Sequence, residues 1–257
     1  MHTKSEYIAV IDSGVGGISV LRELVKQMPG ENYLYFGDSA NAPYGSRTTE
    51  EVRKLTLQVV EMLIARGIKA LVVACNTATS AAVRILREMY PDLIVVGIEP
   101  ALKMAADRIE SGRVGVMATH VTLREEKFAY QAARFPHIQV ERIAAPGLVE
   151  LIEQGYTQGE KVEALLRQFL NPYIGKLDAL VLGCTHYPFV RNTVAKILGP
   201  ETVLFDGGEG TARYTRHCLE EAGLLNEGAG SVLIENSGPE ELVKLSHQLL
   251  ILQEEAL

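Results

Sequence analysis

The sequence predicts an α/β fold because apolar runs rich in β-branched residues alternate with segments of helical period, and because similar runs recur along the chain. Most runs are apolar at consecutive positions, which is typical of strands buried on both faces of a parallel sheet. Segments 49–66 and 119–134 have helical spacing. The predicted strands are YIAVI at 7–11, YLYF at 33–36, KALVVAC at 69–75, DLIVVGI at 92–98, RVGVM at 113–117, DALVLGC at 178–184 and TVLF at 202–205.

The apolar runs indicate an internal repeat. IAVID at 8–12 resembles VGVMA at 114–118, an offset of 106 residues, and LVVACNT at 71–77 resembles LVLGCTH at 180–186, an offset of 109. Similar apolar strands arise easily by chance, but a cysteine at the end of both members of the second pair strengthens the match. We therefore predict two similar parallel-sheet α/β domains, 1–97 with 208–257 and 98–207, with the active site in the crevice between them.

The amino-acid composition argues against some classes of binding partner. The 257 residues are 47% hydrophobic, enough for a packed core, and the formal net charge is −7. A negative chain has no overall attraction for nucleic acid or anionic membranes, so neither is expected as a partner. The N-terminal residues lack the apolar core of a signal peptide, and the three cysteines form no disulfide framework. We expect reduced thiols and a cytoplasmic location.

Polar residues come directly after the first two predicted strands, where ligands of open parallel sheets bind. Asp12–Gly17 (DSGVGG) is a turn with exposed backbone N–H groups that suits an anion, or an ordinary strand-to-helix turn capped by Asp or Ser. Gly37–Gly45 (GDSANAPYG) is too rich in turn residues for a strand or helix. It is either an ordered functional loop or a plain solvent loop.

Two cysteines end matching strands. Cys75 precedes a predicted helix, whose N-terminus favours a thiolate, and Cys184 repeats the arrangement in the second domain. A buried structural role is the alternative for either cysteine alone, but the matched pair favours catalysis. Cys184 and His186 could also be metal ligands, yet no further cluster of Cys or His completes a site. Cys218, within a helical segment, is predicted to be structural.

The motifs at these strand ends resemble those of the glutamate racemase family, within the wider aspartate/glutamate racemase group. The resemblance spans nearly the whole chain and rests on DSGxGG, PYG, CNTA and GCTHYP, present as Asp12–Gly17, Pro43–Gly45, Cys75–Ala78 and Gly183–Pro188. It implies two facing α/β domains that enclose a free amino acid, with one cysteine on either side of its α-carbon. It also implies that neither pyridoxal phosphate nor a metal is used.

The resemblance implies a role for each site residue. Cys75 would remove the proton from D-glutamate and Cys184 the proton from L-glutamate, helped by Asp12 and His186 respectively. Asp38 and Glu153 would be further catalytic acids, although Glu150 lies close to Glu153 in sequence and keeps that second assignment open. Substrate contacts would come from Asp12, Ser13, Tyr44, Gly45, Asn76, Thr77, Thr185 and His186.

The two-thiol chemistry sets a requirement on the thiol pKa values. One sulfur must be ionised and the other protonated, so both pKa values are expected near neutrality. Asp12 would raise the pKa of Cys75, whereas helix N-termini and a protonated His186 would lower thiol pKa values.

The biological setting is also implied by the resemblance alone. Family members are often dimers and supply D-glutamate for bacterial peptidoglycan, which implies a bacterial cytosolic enzyme and a possible homodimer. Only six residues precede the first predicted strand, so we expect no N-terminal regulatory segment. The alternatives are a racemase of another acid such as aspartate, and a non-catalytic amino-acid-binding protein.

Overall fold

A computed structural model describes residues 2–124 and 126–252. They divide into two compact units: the first holds residues up to Glu99 together with Gly208–Ile251, and the second holds Pro100–Gly207 with Leu252. Residues 253–257, which the sequence assigns to the first domain, lie outside the described residues. None of the helices in the described ranges combines the length and the apolar character needed to cross a membrane.

Strands and helices alternate through both units. In chain order they are β1 (Tyr7–Asp12), α1 (Ile18–Gln27), β2 (Asn32–Gly37), α2 (Thr49–Ile64), β3 (Ile68–Val73), α3 (Asn76–Met89), β4 (Ile94–Gly97), α4 (Ala101–Arg108), β5 (Gly112–Ala118), α5 (His120–Arg124), α6 (Glu126–Ala133), β6 (Ile138–Ala144), α7 (Leu148–Glu153), α8 (Glu160–Leu170), β7 (Ala179–Leu182), α9 (Arg191–Leu198), β8 (Val203–Phe205), α10 (Gly208–Glu221), β9 (Ser231–Asn236) and α11 (Glu240–Leu250). Single turns of 3-10 helix lie at Ser39–Asn41, Tyr44–Ser46, Asn171–Tyr173 and Tyr187–Val190.

The two sheets repeat one topology. The first has the order β4-β3-β1-β2-β9 and the second β6-β5-β7-β8, and every strand pair is parallel. In each unit the first strand lies between the second and the third, and the fourth lies outside the third. β9 extends the first sheet beyond β2. This arrangement confirms the predicted fold class of two similar parallel-sheet α/β domains.

Seven strands lie on the predicted apolar runs, but β6 and β9 were not predicted from the sequence. Both are edge strands, and their residues are largely half-buried or exposed. Charged side chains interrupt their apolar residues, Glu141 and Arg142 in β6 and Glu235 in β9. A strand that covers one edge of a sheet needs no continuous apolar run, so the pattern that identifies central strands does not apply to it.

The predicted helical segments are helical in the structure. Segment 49–66 contains α2, which begins with a capping box: the Glu51 N–H donates to Thr48 Oγ1 at 3.3 Å, and the Thr48 N–H donates to Glu51 Oε2 at 2.9 Å. Segment 119–134 contains α5 and α6, and residue 125 between them lies outside the described residues.

Central strands form the core of each unit. Ile8, Ala9 and Val10 in β1 have no exposed surface, and neither do Val114 in β5 and Leu180 in β7. Burial of one such large apolar side chain contributes roughly 1.5–3 kcal/mol, so the central strands are held firmly and fix the loops that come after them.

A buried ion pair ties together the end of the first sheet from which β2 and β3 begin. The Lys69 ammonium donates to Glu31 Oε2 at 2.6 Å, and both side chains are fully buried. Lys69 also donates to the carbonyl oxygens of Lys4 and Leu224, and the Asn226 N–H donates to Glu31 Oε1 at 2.7 Å. The pair therefore joins the N-terminal segment, two strands and the chain between α10 and β9.

Replacing Lys69 by Met should destabilise the first unit by about 3–5 kcal/mol, because the Glu31 carboxylate would remain buried without its cation. Urea unfolding followed by circular dichroism measures the change. Arg84→Met is the matched control, since it breaks an ion pair whose side chains are 83% and 61% exposed, and it should change little. Equal unfolding midpoints for the two variants would contradict this role of the ion pair.

Candidate active site

Asp12 ends β1 and organises the turn that leads into α1. Its Oδ2 accepts hydrogen bonds from the backbone N–H groups of Gly14 at 3.3 Å and Gly17 at 3.1 Å, and the side chain is 4% exposed. A Cβ on residue 17 would lie 2.6 Å from the Asp12 Cβ. Only glycine therefore lets the start of α1 approach the carboxylate this closely, as the DSGxGG motif requires.

Cys75 is the N-cap of α3, two residues beyond the end of β3. Its Sγ accepts a hydrogen bond from the Ala78 N–H at 3.5 Å and lies 3.8 Å from Ser13 Oγ, in the turn after β1. Asn76 and Thr77 are the first residues of α3 and are half-buried. The structure thus brings Asp12, Ser13 and the Cys75 thiol together at the carboxyl ends of two adjacent strands.

Burial dominates the electrostatics of Cys75. Loss of solvent, followed by the negative charge of Asp12, raises the pKa of the Cys75 thiol to about 12. Hydrogen bonds from the Ala78 N–H, the Ser13 hydroxyl and the Thr77 N–H act in the opposite direction but are weaker. The sequence left open whether Asp12 or the helix N-terminus dominates; in the structure, desolvation and Asp12 together outweigh the hydrogen bonds at the start of α3.

The loop after β2 is ordered around the Asp38 carboxylate. Tyr44 OH donates to Asp38 Oδ2 at 2.7 Å, Ser237 Oγ donates to Oδ1 at 2.8 Å, and Asn41 Nδ2 lies 3.1 Å from both oxygens. Asp38 and Tyr44 are each 4% exposed, and Gly45 comes next within a turn of 3-10 helix. Burial, followed by the hydrogen bond to Asp38, raises the pKa of Tyr44, so its hydroxyl remains a donor. These hydrogen bonds distinguish the segment from a plain solvent loop.

The second unit has a different set of groups around its thiol. Cys184 Sγ lies 3.7 Å from His186 Nδ1, and His186 Nε2 lies 2.8 Å from Glu153 Oε1. When the neutral His186 ring carries its proton on Nε2, that N–H donates to the Glu153 carboxylate. Nδ1 is then unprotonated and faces the Cys184 sulfur as a hydrogen-bond acceptor. Thr185 lies between the two residues in sequence and is 8% exposed. The structure therefore brings Cys184, His186 and Glu153 into one continuous series of contacts, which we call the relay.

Glu153 and Glu150, which sequence alone did not separate, have different positions relative to this relay. Glu153 ends α7 and contacts His186, whereas Glu150 lies in the first turn of the same helix. The charge of Glu150 acts on Tyr187, whose pKa is raised by burial and then by Cys184 and Glu150. Glu153 is accordingly the carboxylate of the relay.

The backbone beyond Cys184 also differs from the backbone beyond Cys75. Cys75 caps an α-helix directly, whereas Cys184 leads into a turn of 3-10 helix at Tyr187–Val190, with Pro188 near its start, before α9 begins. Pro188 has no N–H group to donate. Cys184 therefore does not cap an α-helix as Cys75 does.

Two hydroxyls, on Thr119 directly after β5 and on Thr122 in α5, were not among the site residues predicted from the sequence. Thr119 Oγ1 lies 2.9 Å from Thr122 Oγ1 and accepts the Thr122 N–H at 3.3 Å. The repeat could have identified the first of them, because the offset of 106 that matches the first strands places Thr119 opposite Ser13. Both threonines are candidate donors to an anionic ligand.

Cys218, the third cysteine, lies within a helix and not at the end of a strand. Cys218 is in α10 beside Tyr214, and a hydrogen bond to Cys218 raises the pKa of Tyr214. Within residues 2–124 and 126–252, no group of three or more His, Cys, Asp or Glu side chains is arranged to hold a metal ion.

Comparison with known proteins matches this arrangement to one family. Residues 8–215 match the model of the Asp/Glu/Hydantoin racemase family. The glutamate racemase of Clostridium acetobutylicum is 48% identical over 255 residues, which cover 97% of this chain and 99% of that protein.

Solved structures agree with the sequence comparison. The glutamate racemase of Francisella tularensis in complex with D-glutamate is 30% identical, with a TM-score of 0.84 over 98% of this chain and 96% of that one. The Escherichia coli glutamate racemase in complex with L-glutamate and the activator UDP-MurNAc-ala is 31% identical, with a TM-score of 0.84 over 95% of each chain. On its family match, its relatives and its fold, the chain belongs to the Asp/Glu/Hydantoin racemase family.

Proposed function

We propose that the protein interconverts L- and D-glutamate by moving the α-proton between two bases, Cys75 and Cys184. The observation that carries the proposal is the thiol at the matching strand end of each repeated unit, one beside Asp12 and the other beside His186. A protein that only binds an amino acid has no need of this pair. Glutamate is the substrate of choice because the relatives from Francisella tularensis and Escherichia coli are bound to D-glutamate and L-glutamate, respectively.

The relay in the second unit suits Cys184 as the base for L-glutamate. His186 Nδ1 accepts the thiol proton, and Glu153 stabilises the imidazolium that results. The Cys184 thiolate then removes the α-proton from L-glutamate. His186 is thus the group proposed to activate Cys184, which does not cap an α-helix as Cys75 does.

Cys75 suits the complementary role of proton donor. Because its pKa is raised to about 12, it is a thiol at neutral pH and delivers its proton to the opposite face of the α-carbon. For D-glutamate the roles reverse, and Asp12 is the group that assists Cys75. The ammonium group of a bound amino acid would favour the Cys75 thiolate, because a nearby positive charge lowers the pKa of an acid.

Substrate recognition is proposed to use the donors at the same strand ends. Two carboxylates need hydrogen bond donors, which the hydroxyls, amides and backbone N–H groups supply, and the ammonium group needs an acceptor such as Asp12. The residues are Asp12, Ser13, Tyr44, Gly45, Asn76, Thr77, Thr185 and His186, with Thr119 and Thr122 in addition.

The proposal extends to the setting of the enzyme. We propose that it acts without pyridoxal phosphate or metal, as a homodimer in the bacterial cytosol, and that its D-glutamate enters peptidoglycan. The bacterial origin of its relatives, and the UDP-MurNAc-ala activator bound by the one from Escherichia coli, support the bacterial setting and the link to peptidoglycan.

The purified protein should racemise L- and D-glutamate, and Cys75→Ser and Cys184→Ser should each lower the rate by at least about a thousandfold, because each removes one of two required bases. Circular dichroism at a fixed wavelength follows the change in optical activity. L-Aspartate is assayed in parallel and should react at least tenfold more slowly.

Cys218→Ser is the matched control and should retain wild-type activity. An inactive wild-type protein, a faster reaction with aspartate, or loss of activity in the Cys218 variant would each contradict the proposal. Strong inhibition by EDTA or hydroxylamine would contradict the absence of a cofactor.

The raised pKa of Cys75 predicts the pH dependence of its alkylation. Only the thiolate reacts, so the rate with iodoacetamide should rise about tenfold per pH unit from about pH 7 to pH 9.5 without a plateau. Mass spectrometry of the peptide that contains Cys75 measures the rate. N-acetylcysteine in the same reaction should level off near its ordinary pKa of about 8.5. A plateau for Cys75 below that of the free thiol would show that its pKa is lowered rather than raised.

A further inference from the structure

Ser237 lies at the point where the C-terminal segment of the first unit meets the loop after β2. β9 pairs in parallel with β2, with Asn236 opposite Gly37, and the Ser237 N–H donates to the Gly37 carbonyl at 2.9 Å. Asn236 Oδ1 accepts the Gly238 N–H at 2.7 Å, which fixes the turn that leads into α11. The backbone around Ser237 is therefore held in register with the end of β2.

The Ser237 hydroxyl uses both its donor and its acceptor capacity on this loop. It donates to Asp38 Oδ1 at 2.8 Å and accepts the Ala40 N–H at 3.0 Å. Asp38 in turn accepts the Tyr44 hydroxyl through its other oxygen at 2.7 Å. A continuous chain of hydrogen bonds thus runs from Ser237 through Asp38 to Tyr44.

This chain of bonds constrains the segment that is proposed to bind glutamate. With Ser237 in place, the Asp38 carboxylate is fixed at one oxygen and presents the other to Tyr44. Without the hydroxyl, the Asp38 carboxylate keeps its bonds to Asn41 and Tyr44 but loses the donor that ties it to the C-terminal segment, and the Ala40 N–H loses its acceptor. Residues 39–46, which carry Tyr44 and Gly45, then become less ordered.

We infer that Ser237 is a positioning residue: acting through Asp38, it orients Tyr44 and the neighbouring backbone for substrate binding. The inference rests on the proposed function. Ser237 is distant in sequence from every motif of the site, and its side chain bonds to the loop rather than to either thiol. Its loss should therefore weaken substrate binding more than proton transfer.

The test compares Ser237→Ala with Ser237→Thr and with Ser246→Ala. Ser246 is the matched control because it is a buried serine of α11 in the same C-terminal segment, and its hydroxyl donates only within the helix, to the Leu242 carbonyl at 2.7 Å. Threonine keeps the hydroxyl at position 237, which is exposed. KM and kcat for L-glutamate are measured, together with amide hydrogen exchange of the peptide that spans residues 38–47.

Ser237→Ala should raise KM about two- to tenfold, the size expected for one hydrogen bond, with kcat changed by less than about twofold. Exchange in the 38–47 peptide should be faster by a similar factor. Ser237→Thr should restore both values, and Ser246→Ala should leave both unchanged. Combined with Tyr44→Phe, Ser237→Ala should add little to KM, since both changes act on the same chain of bonds.

An unchanged KM and unchanged exchange in Ser237→Ala would overturn the inference. So would equal effects of Ser237→Ala and Ser246→Ala, since these would indicate a general structural role of the C-terminal segment. A failure of the proposed function would look different, because the wild-type protein would then not racemise glutamate. In that case, faster amide exchange in Ser237→Ala but not in Ser246→Ala would still support the positioning of the loop by Ser237.

Discussion

Parallel strands direct all their carboxyl ends to one edge of a sheet, and the site in each unit depends on this constraint. In the first unit the central position of β1 brings the loops after β1, β2 and β3 side by side. The Asp38 N–H donates to the Asp12 carbonyl at 2.9 Å, and the Ala74 N–H donates to the Ile11 carbonyl at 2.9 Å. Residues more than 60 positions apart thereby meet around one thiol. The second unit uses the same topology to place Cys184 beyond β7.

The repeated fold carries two different electrostatic arrangements. Cys75 is buried beside a carboxylate and is held as a thiol, whereas Cys184 faces a histidine that is itself bonded to a carboxylate. L- and D-glutamate have the same free energy in water, so kcat/KM must be equal in the two directions at every pH. In the proposed two-base mechanism, Cys75 is only rarely a thiolate at neutral pH, so that thiolate must be a correspondingly strong base. A symmetric reaction is therefore compatible with two chemically unlike bases.

The sequence predicted the features that have a local pattern. Central strands such as β1 and β3 are continuous apolar runs, and both thiols come after such runs at matching places in the repeat. The edge strands β6 and β9 were missed because charged residues interrupt their apolar residues. Glu150 and Glu153 could not be separated because only one turn of helix lies between them. The bond from Ser237 to Asp38 spans 199 positions and leaves no sequence pattern at all.

Proton transfer by two bases on opposite faces is the central claim, and deuterium incorporation measures it most directly. In D₂O, L-glutamate should yield D-glutamate that carries deuterium at the α-carbon from the first turnovers, because the Cys75 sulfur exchanges its proton with solvent. The L-glutamate that remains early in the reaction should stay largely undeuterated. NMR or mass spectrometry after separation of the enantiomers gives both values. Early deuterium in the remaining L-glutamate at the level of the product, or the original proton retained in D-glutamate, would contradict the account.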